Sequence, residues 1–280
     1  MKRIVTIQDI SCIGKCSLTV ALPIISATGI ETAILPTTIL STHTAFKGYT
    51  FRDLSMDIPD IRKHWMKEKI SFDAIYTGYL GNEEQIDMVK DFIKSFDTKD
   101  NFVLVDPAMA DNGKLYPGFD LEFVSKMKEL CMMSDIIVPN LTEACLLLGV
   151  PYREDYEEED IQELLVQLSK MVKYPIITDI RIHNKIGIMS YDSKSKKYYQ
   201  YFRTKIPAKF HGTGDVFASA LVGCLANGIE LNDSLQIAVD YVWECIKETF
   251  KEKDEYYGVY FELKLPYLIH RIQNKKRTNK

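Results

Sequence analysis

Two periods alternate along the chain. Short runs rich in β-branched residues, bounded by Gly, Pro, Asp or Asn, mark strands, and longer stretches with apolar positions three and four apart mark helices. Arg3–Gln8 therefore reads as a strand, and Leu18–Ala27 as a helix that Ser17 can cap and Gly29 ends. Thr32–Leu35 is a second strand. Ile58–Lys69 has helical spacing and many charges. "FDAIYTGYLG" (Phe72–Gly81) is a strand running into a glycine turn, followed by an amphipathic helix, Glu83–Phe96. The alternation continues with the strand "FVLVDP", which ends in Asp106 and Pro107, and a helix, Phe119–Cys131. Then come the strand "SDIIVPN" (Ser134–Asn140), a short helix, Thr142–Leu148, closed by Gly149, a helix, Asp160–Val172, and the strand "YPIITD" (Tyr174–Asp179).

Strands that are apolar almost throughout are covered on both faces, which is the habit of parallel sheets. Between Lys185 and Arg203 the pattern changes: Ile186–Tyr191 and Lys197–Phe202 flank the polar "DSKSK", a hairpin signal at a sheet edge. Beyond Asp215 the chain is helical, in Val216–Ala226, Ser234–Glu248 and Val259–Ile272, the last interrupted by Pro266. The expected class is α/β: a three-layer α/β/α fold with a mostly parallel central sheet and an antiparallel edge hairpin. No repeat, low-complexity tract or linker divides the sequence, so residues 1–280 read as a single domain ending in a solvated basic tail, with Lys275, Lys276, Arg277 and Lys280. In such sheets ligands bind beyond the carboxyl ends of the strands. The polar residues expected on that rim are Asp9, Thr44, Tyr79, Asp106, Asn140, Glu143 and Thr178.

Composition narrows the classes. Hydrophobic residues make up 46% and charged residues 26%, ordinary for a soluble globular chain. A net charge of -4 gives no general attraction to nucleic acid or anionic membranes. No apolar run approaches the ~20 residues that cross a bilayer, and the N-terminus lacks the pattern of a secretory signal. The six cysteines are scattered, and Cys12 and Cys16 have no second Cys/His pair at zinc spacing, so reduced thiols and a cytoplasmic location are expected.

The chemistry gathers around "KFHGTGDVFASAL" (Lys209–Leu221). Gly212 and Gly214 permit a tight turn whose N–H groups open a helix, a site suited to an anion. Asp215 follows at once. It is either a helix cap or an acid that meets a phosphate there, and the motif alone leaves both open. Two nucleotide motifs fail. Gly14-Lys15 before a helix suggests a P-loop, but Asp9 stands where its first glycine belongs and Cys16 where its Ser or Thr belongs. Gly212 and Gly214 give GxG, but Phe217 stands where the third glycine of a dinucleotide fingerprint belongs. In phosphoryl transfer an acid takes the proton of the attacking hydroxyl while N–H groups stabilise the charged phosphoryl group. "VDP" and "VPNLTE" set Asp106, Asn140 and Glu143 at strand ends, where oxygen ligands suit Mg²⁺. Turn formation by Asn140 and dipole compensation by Glu143 are the alternatives. Together these features point to a kinase.

The same motifs carry a resemblance. In order along the chain, "IVTIQD", "STHT", "TGYLGNEEQ", "VDPAM", "SDIIVPNLTE" and "GTGD" resemble the ribokinase superfamily and, within it, the pyridoxal kinases, over residues 2 to about 248. The resemblance implies ATP-dependent phosphorylation of the 5′-hydroxymethyl group of pyridoxal, pyridoxine or pyridoxamine on a ribokinase-like fold. It implies that Asp215 is the catalytic base and that Gly212, Thr213 and Gly214 form the anion hole. It places Asp9, His43, Thr44 and Tyr79 on the substrate side, and Asp106, Val138, Asn140, Glu143, Thr178 and His211 on the ATP side, with Asp106 and Glu143 at Mg²⁺. The family is usually a homodimer and often uses a monovalent cation such as K⁺.

Two positions depart from it. Asp9 replaces the usual Ser after "IQ", and an ionised acid there would favour a protonated ring nitrogen through a charge-assisted bond. "VDPAMADNGKLY" replaces the usual "DPVMG" loop. The competing expectations are a hydroxymethylpyrimidine kinase of thiamine synthesis, whose relatives often carry "HGTGC", and a non-catalytic binder of vitamer or nucleotide on the same fold.

Overall fold

The structure, a computed structural model, describes residues 1–252 and 257–278, so Lys280 of the basic tail lies outside the described residues. In chain order the elements are β1 (Arg3–Ser11), α1 (Leu18–Ala27), β2 (Glu31–Leu40), β3 (Phe51–Asp53), α2 (Ile58–Lys67), β4 (Ala74–Thr77), α3 (Glu83–Phe96), β5 (Phe102–Val105), β6 (Ala110–Asp111), β7 (Lys114–Leu115), α4 (Leu121–Cys131), β8 (Ile136–Ile137), α5 (Leu141–Leu148), α6 (Glu158–Leu168), β9 (Tyr174–Ile182), β10 (Lys185–Asp192), β11 (Lys197–Thr204), α7 (Thr213–Ala226), α8 (Leu231–Glu252) and α9 (Leu265–Thr278). They fall into two compact units. One comprises Met1–Leu54, Phe72–Ala74 and Lys205–Lys280; the other comprises Ser55–Ser71 and Ile75–Thr204.

In the first unit β1 and β2 run parallel from Arg3 opposite Glu31 to Ser11 opposite Leu40. The short β3, which the sequence pattern missed, pairs antiparallel with β2. It is too brief to show a period. Helix α1 buries Leu18, Val20, Ala21, Ile24 and Ile25. In α7 ten residues from Val216 to Ala226 are buried, so small and apolar side chains all round it mark a core helix rather than an amphipathic one. The basic end is not an extended tail: Lys275, Lys276 and Arg277 form the last turn of α9, where cations complement the helix dipole, and Lys275 pairs with Asp233 at 2.8 Å. Pro266 sits at the second position of α9, where its missing N–H costs nothing.

In the second unit the strands lie in the order β4-β5-β8-β9-β10-β11. β5, β8 and β9 are parallel, and β9, β10 and β11 form the expected antiparallel edge. Helix α3 is capped by Asn82, whose side chain accepts from the Gln85 N–H. Helix α5 has a capping box between Asn140 and Glu143 and ends on Gly149 at φ 70°, a left-handed stop that glycine adopts without strain. A two-stranded hairpin, β6–β7, lies within the departing "ADNGKL" loop.

Candidate active site

The first group of candidate residues belongs to the first unit and is built on an irregularity. Gln8 pairs with Pro36 but Ile10 pairs with Ile39, so the register slips at Asp9. A bulge of this kind re-aims a side chain out of the ladder. Asp9 is 3% exposed. The Ser11 hydroxyl donates to its Oδ2 at 3.1 Å, and the Ser17 hydroxyl, which the sequence expects to cap α1 but which makes no cap hydrogen bond, lies near it. Burial raises its pKa, and the two hydroxyls pull it back.

Asp215 stands in the first turn of α7. That helix starts on Gly212, at φ 75° and ψ 6°, with no side-chain cap. The backbone N–H of Ser17, at the start of α1, lies near the Asp215 carboxylate and favours its charged form. Burial, with the charge of Asp9 adding to it, pushes its pKa up to about 7, against the lowering pull of that N–H. A general base poised near the working pH is what proton transfer from an alcohol needs. Cys16 lies against the same pair: burial, Asp215 and Asp9 push its thiol up to about 12, so it is a neutral thiol.

The anion turn is seated on the loop after β1. A Cβ on Gly212 would lie 1.9 Å from the Lys15 carbonyl oxygen, so only glycine allows this approach. Beside it the His211 ring is 5.3 Å from that of His43, centroid to centroid. His43 is buried, and its Nδ1 accepts from the Ala45 N–H at 3.2 Å, which puts the proton of a neutral ring on Nε2. Gly14, at φ 128°, makes room for that ring. Thr44 is exposed on the same loop, and Thr213 and Gly214 complete the turn. The structure thus gathers Asp9, His43, His211, Gly212 and Asp215 around one loop, residues 11–17. Sequence reasoning missed three members, Ser11, Cys16 and Ser17. Their only signal was a concentration of small polar residues around Gly14.

The second group belongs to the second unit. Asp106 follows β5 and is 9% exposed; its Oδ1 accepts from the Ala108 N–H at 3.3 Å. Glu143 is more constrained than the sequence suggests. Its Oε1 accepts from Met109 N–H at 2.9 Å and Ala110 N–H at 3.3 Å, and its Oε2 accepts from Asn140 N–H at 2.8 Å. Asn140 accepts from Glu143 N–H at 3.0 Å and donates through Nδ2 to the Ala110 oxygen at 2.7 Å. The Thr142 hydroxyl accepts from Gly113 N–H at 2.9 Å. The first turn of α5 therefore anchors the β6–β7 hairpin, and both oxygens of Glu143 serve backbone amides. Burial still raises the Glu143 carboxyl to about 7.

Thr178 donates through its backbone N–H to Pro139 oxygen at 2.9 Å, next to Asn140, and precedes Asp179 at φ 53°. Val138 is 4% exposed and hydrogen-bonds to Val105, a core position in this sheet. Tyr79 stacks on Phe119 with 5.7 Å between centroids, and Phe119 stacks on Phe123 at 3.8 Å; these two phenylalanines were read only as helix residues. Among the described residues no three His, Cys, Asp or Glu side chains cluster as a metal site. Mg²⁺ in phosphoryl transfer usually takes one or two carboxylates and completes its octahedron with phosphate and water, so Asp106 fits that duty; Glu143, with its oxygens engaged, fits it less well.

The fold is matched by known proteins. The family model described as phosphomethylpyrimidine kinase matches residues 25–259. A solved structure of a putative phosphomethylpyrimidine kinase from Bacteroides thetaiotaomicron is 40% identical, with a TM-score of 0.93 over 95% of this chain and 93% of that one. A second crystal form of that protein, 39% identical, was determined with pyridoxal. The pyridoxal kinase of Lactobacillus plantarum is 29% identical, with a TM-score of 0.91 over 98% of this chain and 99% of that one. A putative pyridoxal kinase of Schizosaccharomyces pombe is 26% identical over 94% of this chain and 92% of its own length.

The fold is the three-layer α/β/α class with a mostly parallel sheet and an antiparallel edge hairpin, and its members here are phosphotransferases. The chain belongs to the phosphomethylpyrimidine kinase family and, within the ribokinase-like superfamily, to the pyridoxal kinase branch.

Proposed function

We propose that the chain, acting as one kinase domain, transfers the γ-phosphoryl group of ATP to the 5′-hydroxymethyl oxygen of pyridoxal, pyridoxine or pyridoxamine. The observation that carries this is Asp215: an acid that burial raises to about 7, in the first turn of a helix that a glycine turn opens, with a second acid, Asp9, beside it. Asp215 takes the hydroxyl proton as that oxygen forms its bond to the γ-phosphorus. The bond from phosphorus to the β–γ bridging oxygen breaks, and ADP leaves with the electron pair. The N–H groups of Gly212, Thr213 and Gly214 stabilise the charge on the transferring group. Mg²⁺, when bound, neutralises phosphate charge, and Asp106 is the residue proposed to hold it. In the second unit Glu143 and Asn140 are proposed to shape the nucleotide side through the hairpin, with Thr178 and Tyr79 as ligand contacts; in the first unit His211, His43 and Thr44 are the proposed ligand contacts.

Asp9 gives the substrate its identity. A buried, hydroxyl-bonded carboxylate favours a protonated pyridine nitrogen as its partner. Replacing Asp9→Asn should raise KM for the vitamer at least about tenfold, the scale of one charge-assisted bond, and leave KM for ATP within about twofold. Equal effects on both would argue against ring contact.

The second reading, a hydroxymethylpyrimidine or phosphomethylpyrimidine kinase, is favoured by the matching family model and by His211 in "HGTGD". ATP consumption measured with pyridoxal, pyridoxamine, pyridoxine, hydroxymethylpyrimidine and ribose separates the two. The proposal expects the highest kcat/KM with a B6 vitamer. Turnover of the pyrimidine alone would replace it with the second reading, and turnover of none would leave a binding protein.

A further inference from the structure

Gly14-Lys15, the pair that fails as a P-loop, is not used by the proposed reaction. A lysine beside a phosphate-binding turn ordinarily reaches for the phosphates. Here the ammonium is committed elsewhere. Lys15 Nζ donates to Glu262 Oε2 at 2.8 Å. It also lies 4.4 Å from the centroid of the Tyr260 ring, 5.7 Å from that of Phe261 and 5.9 Å from that of Tyr257, all within cation–π range. The Lys15 side chain is 12% exposed. The segment that receives it, residues 257–262, is itself fixed. Val259 and Phe261 are buried. From α8, the Tyr241 hydroxyl donates to the Phe261 oxygen at 3.0 Å, and the Thr249 hydroxyl accepts from Tyr260 N–H at 2.8 Å. Gly258, at φ 103°, lets this segment close on the others: a Cβ there would stand 2.8 Å from Lys15 Cβ, 3.2 Å from the Lys15 oxygen and 3.4 Å from the His211 oxygen.

We infer that Lys15 is a positioning residue: its side chain, held by Glu262 and the aromatic rings, keeps the Lys15 carbonyl against Gly212 and so fixes the anion turn. The inference rests on the proposed function, in which that turn stabilises the transferring phosphoryl group. The contact between the two loops is the closest kind that glycine allows, since a Cβ on Gly212 would lie 1.9 Å from the Lys15 oxygen. Any rotation of the Lys15 peptide therefore moves the turn. The carbonyls on either side are held from α1: the Thr19 hydroxyl donates to the Cys16 oxygen at 2.7 Å and to the Gly14 oxygen at 3.1 Å. Lys15 stands between these two fixed points, and its side chain sets how its own peptide is turned. A half-exposed ion pair adds little to stability. Two attractions on one ammonium, against a seat anchored to α8, restrict its position all the same. The loss expected on removing the charge is thus in rate more than in folding.

Lys15→Met tests this, because it keeps the apolar stem that packs on Gly258 and removes the charge. Kinetics are measured well below the melting temperature of every variant. The inference expects kcat for pyridoxal to fall about tenfold, part of the 10²-fold that an error of about 1 Å costs. KM for pyridoxal and for ATP should stay within about twofold, because the turn acts on the group in transfer rather than on bound substrate. Glu262→Gln, a milder change, should lower kcat about threefold in the same way. The double variant should lie within about twofold of Lys15→Met alone, since both changes break one link. A lowered melting temperature with kcat within about twofold of the parent would make Lys15 a structural staple and overturn the inference. A KM for ATP raised about tenfold in Lys15→Met but not in Glu262→Gln would make it a phosphate ligand instead, and full additivity would also overturn the link. Failure of the functional proposal looks different. A parent that phosphorylates only hydroxymethylpyrimidine overturns that proposal and leaves the same comparison to be read on the pyrimidine; a parent that phosphorylates neither overturns both.

Discussion

Asp215→Asn is expected to reduce kcat for vitamer phosphorylation by about 10²–10⁴-fold, the span usually supplied by a positioned base, while ATP binding, followed by calorimetry, stays near the parent value. Asparagine keeps the shape, but it cannot take a proton. In the parent, kcat/KM should fall on the acid side with a midpoint near the Asp215 value of about 7; the residual activity of the variant should lack that limb. Stability gives an independent reading. The carboxyl is raised from 3.8 to about 7 in the folded chain, so the folded state holds a proton that the unfolded state has released over that range. Stability from this group is complete below the unfolded value and is lost as pH rises through the folded one. Asparagine carries no charge at any pH. Its melting temperature should therefore exceed the parent's by a few degrees at about pH 8, and the difference should vanish at about pH 4. A variant with near-normal turnover would remove Asp215 from the role of base.

Gly212→Ala is expected to have the next largest effect, through the backbone. The added Cβ would lie 1.9 Å from the Lys15 oxygen, and alanine would have to accept φ 75°. The neighbouring loop cannot easily retreat. Lys15 Nζ is bound to Glu262 at 2.8 Å and lies 4.4 Å over the Tyr260 ring. A Cβ on Gly258 would stand 2.8 Å from Lys15 Cβ, so this segment is packed from the other side as well. The anion turn must therefore move or the loop must distort. An error of about 1 Å in such a site costs on the order of 10²-fold in rate, and the backbone strain costs ~1–3 kcal/mol of stability. Loss of both kcat and melting temperature is expected. Parent-like kinetics would show that the turn does not hold the transferring group.

Much of the fold was legible because its signals are local. The mostly apolar runs at residues 102–105 and 174–179 read as strands covered on both faces, and Glu83–Phe96 was bounded to the residue by its amphipathic period. Strands as short as β3, β6 and β7 carry no period, and the glycine-bearing loop that contains the hairpin gave only a turn signal. The candidate site was legible where glycine and an acid stand adjacent, as in "GTGD". It was not legible where function depends on pairing across the sequence. Nothing in "GKCSL" announces that Ser17 would sit at φ 51° and make no cap hydrogen bond, since a serine before an apolar stretch ordinarily means a cap. Glu143 shows the converse. Its place at a strand end suggested an open oxygen ligand, but its Oε1 is engaged by the amides of Met109 and Ala110, which lie more than thirty residues away.

The most direct measurement of the central claim is a competition. Equal amounts of pyridoxal and hydroxymethylpyrimidine are presented with limiting ATP and Mg²⁺, and the phosphorylated products are identified by mass spectrometry. The account predicts pyridoxal 5′-phosphate as the main product in the parent and its loss in Asp215→Asn. A phosphorylated pyrimidine as the main product, or pyridoxal 5′-phosphate undiminished in Asp215→Asn, would contradict it.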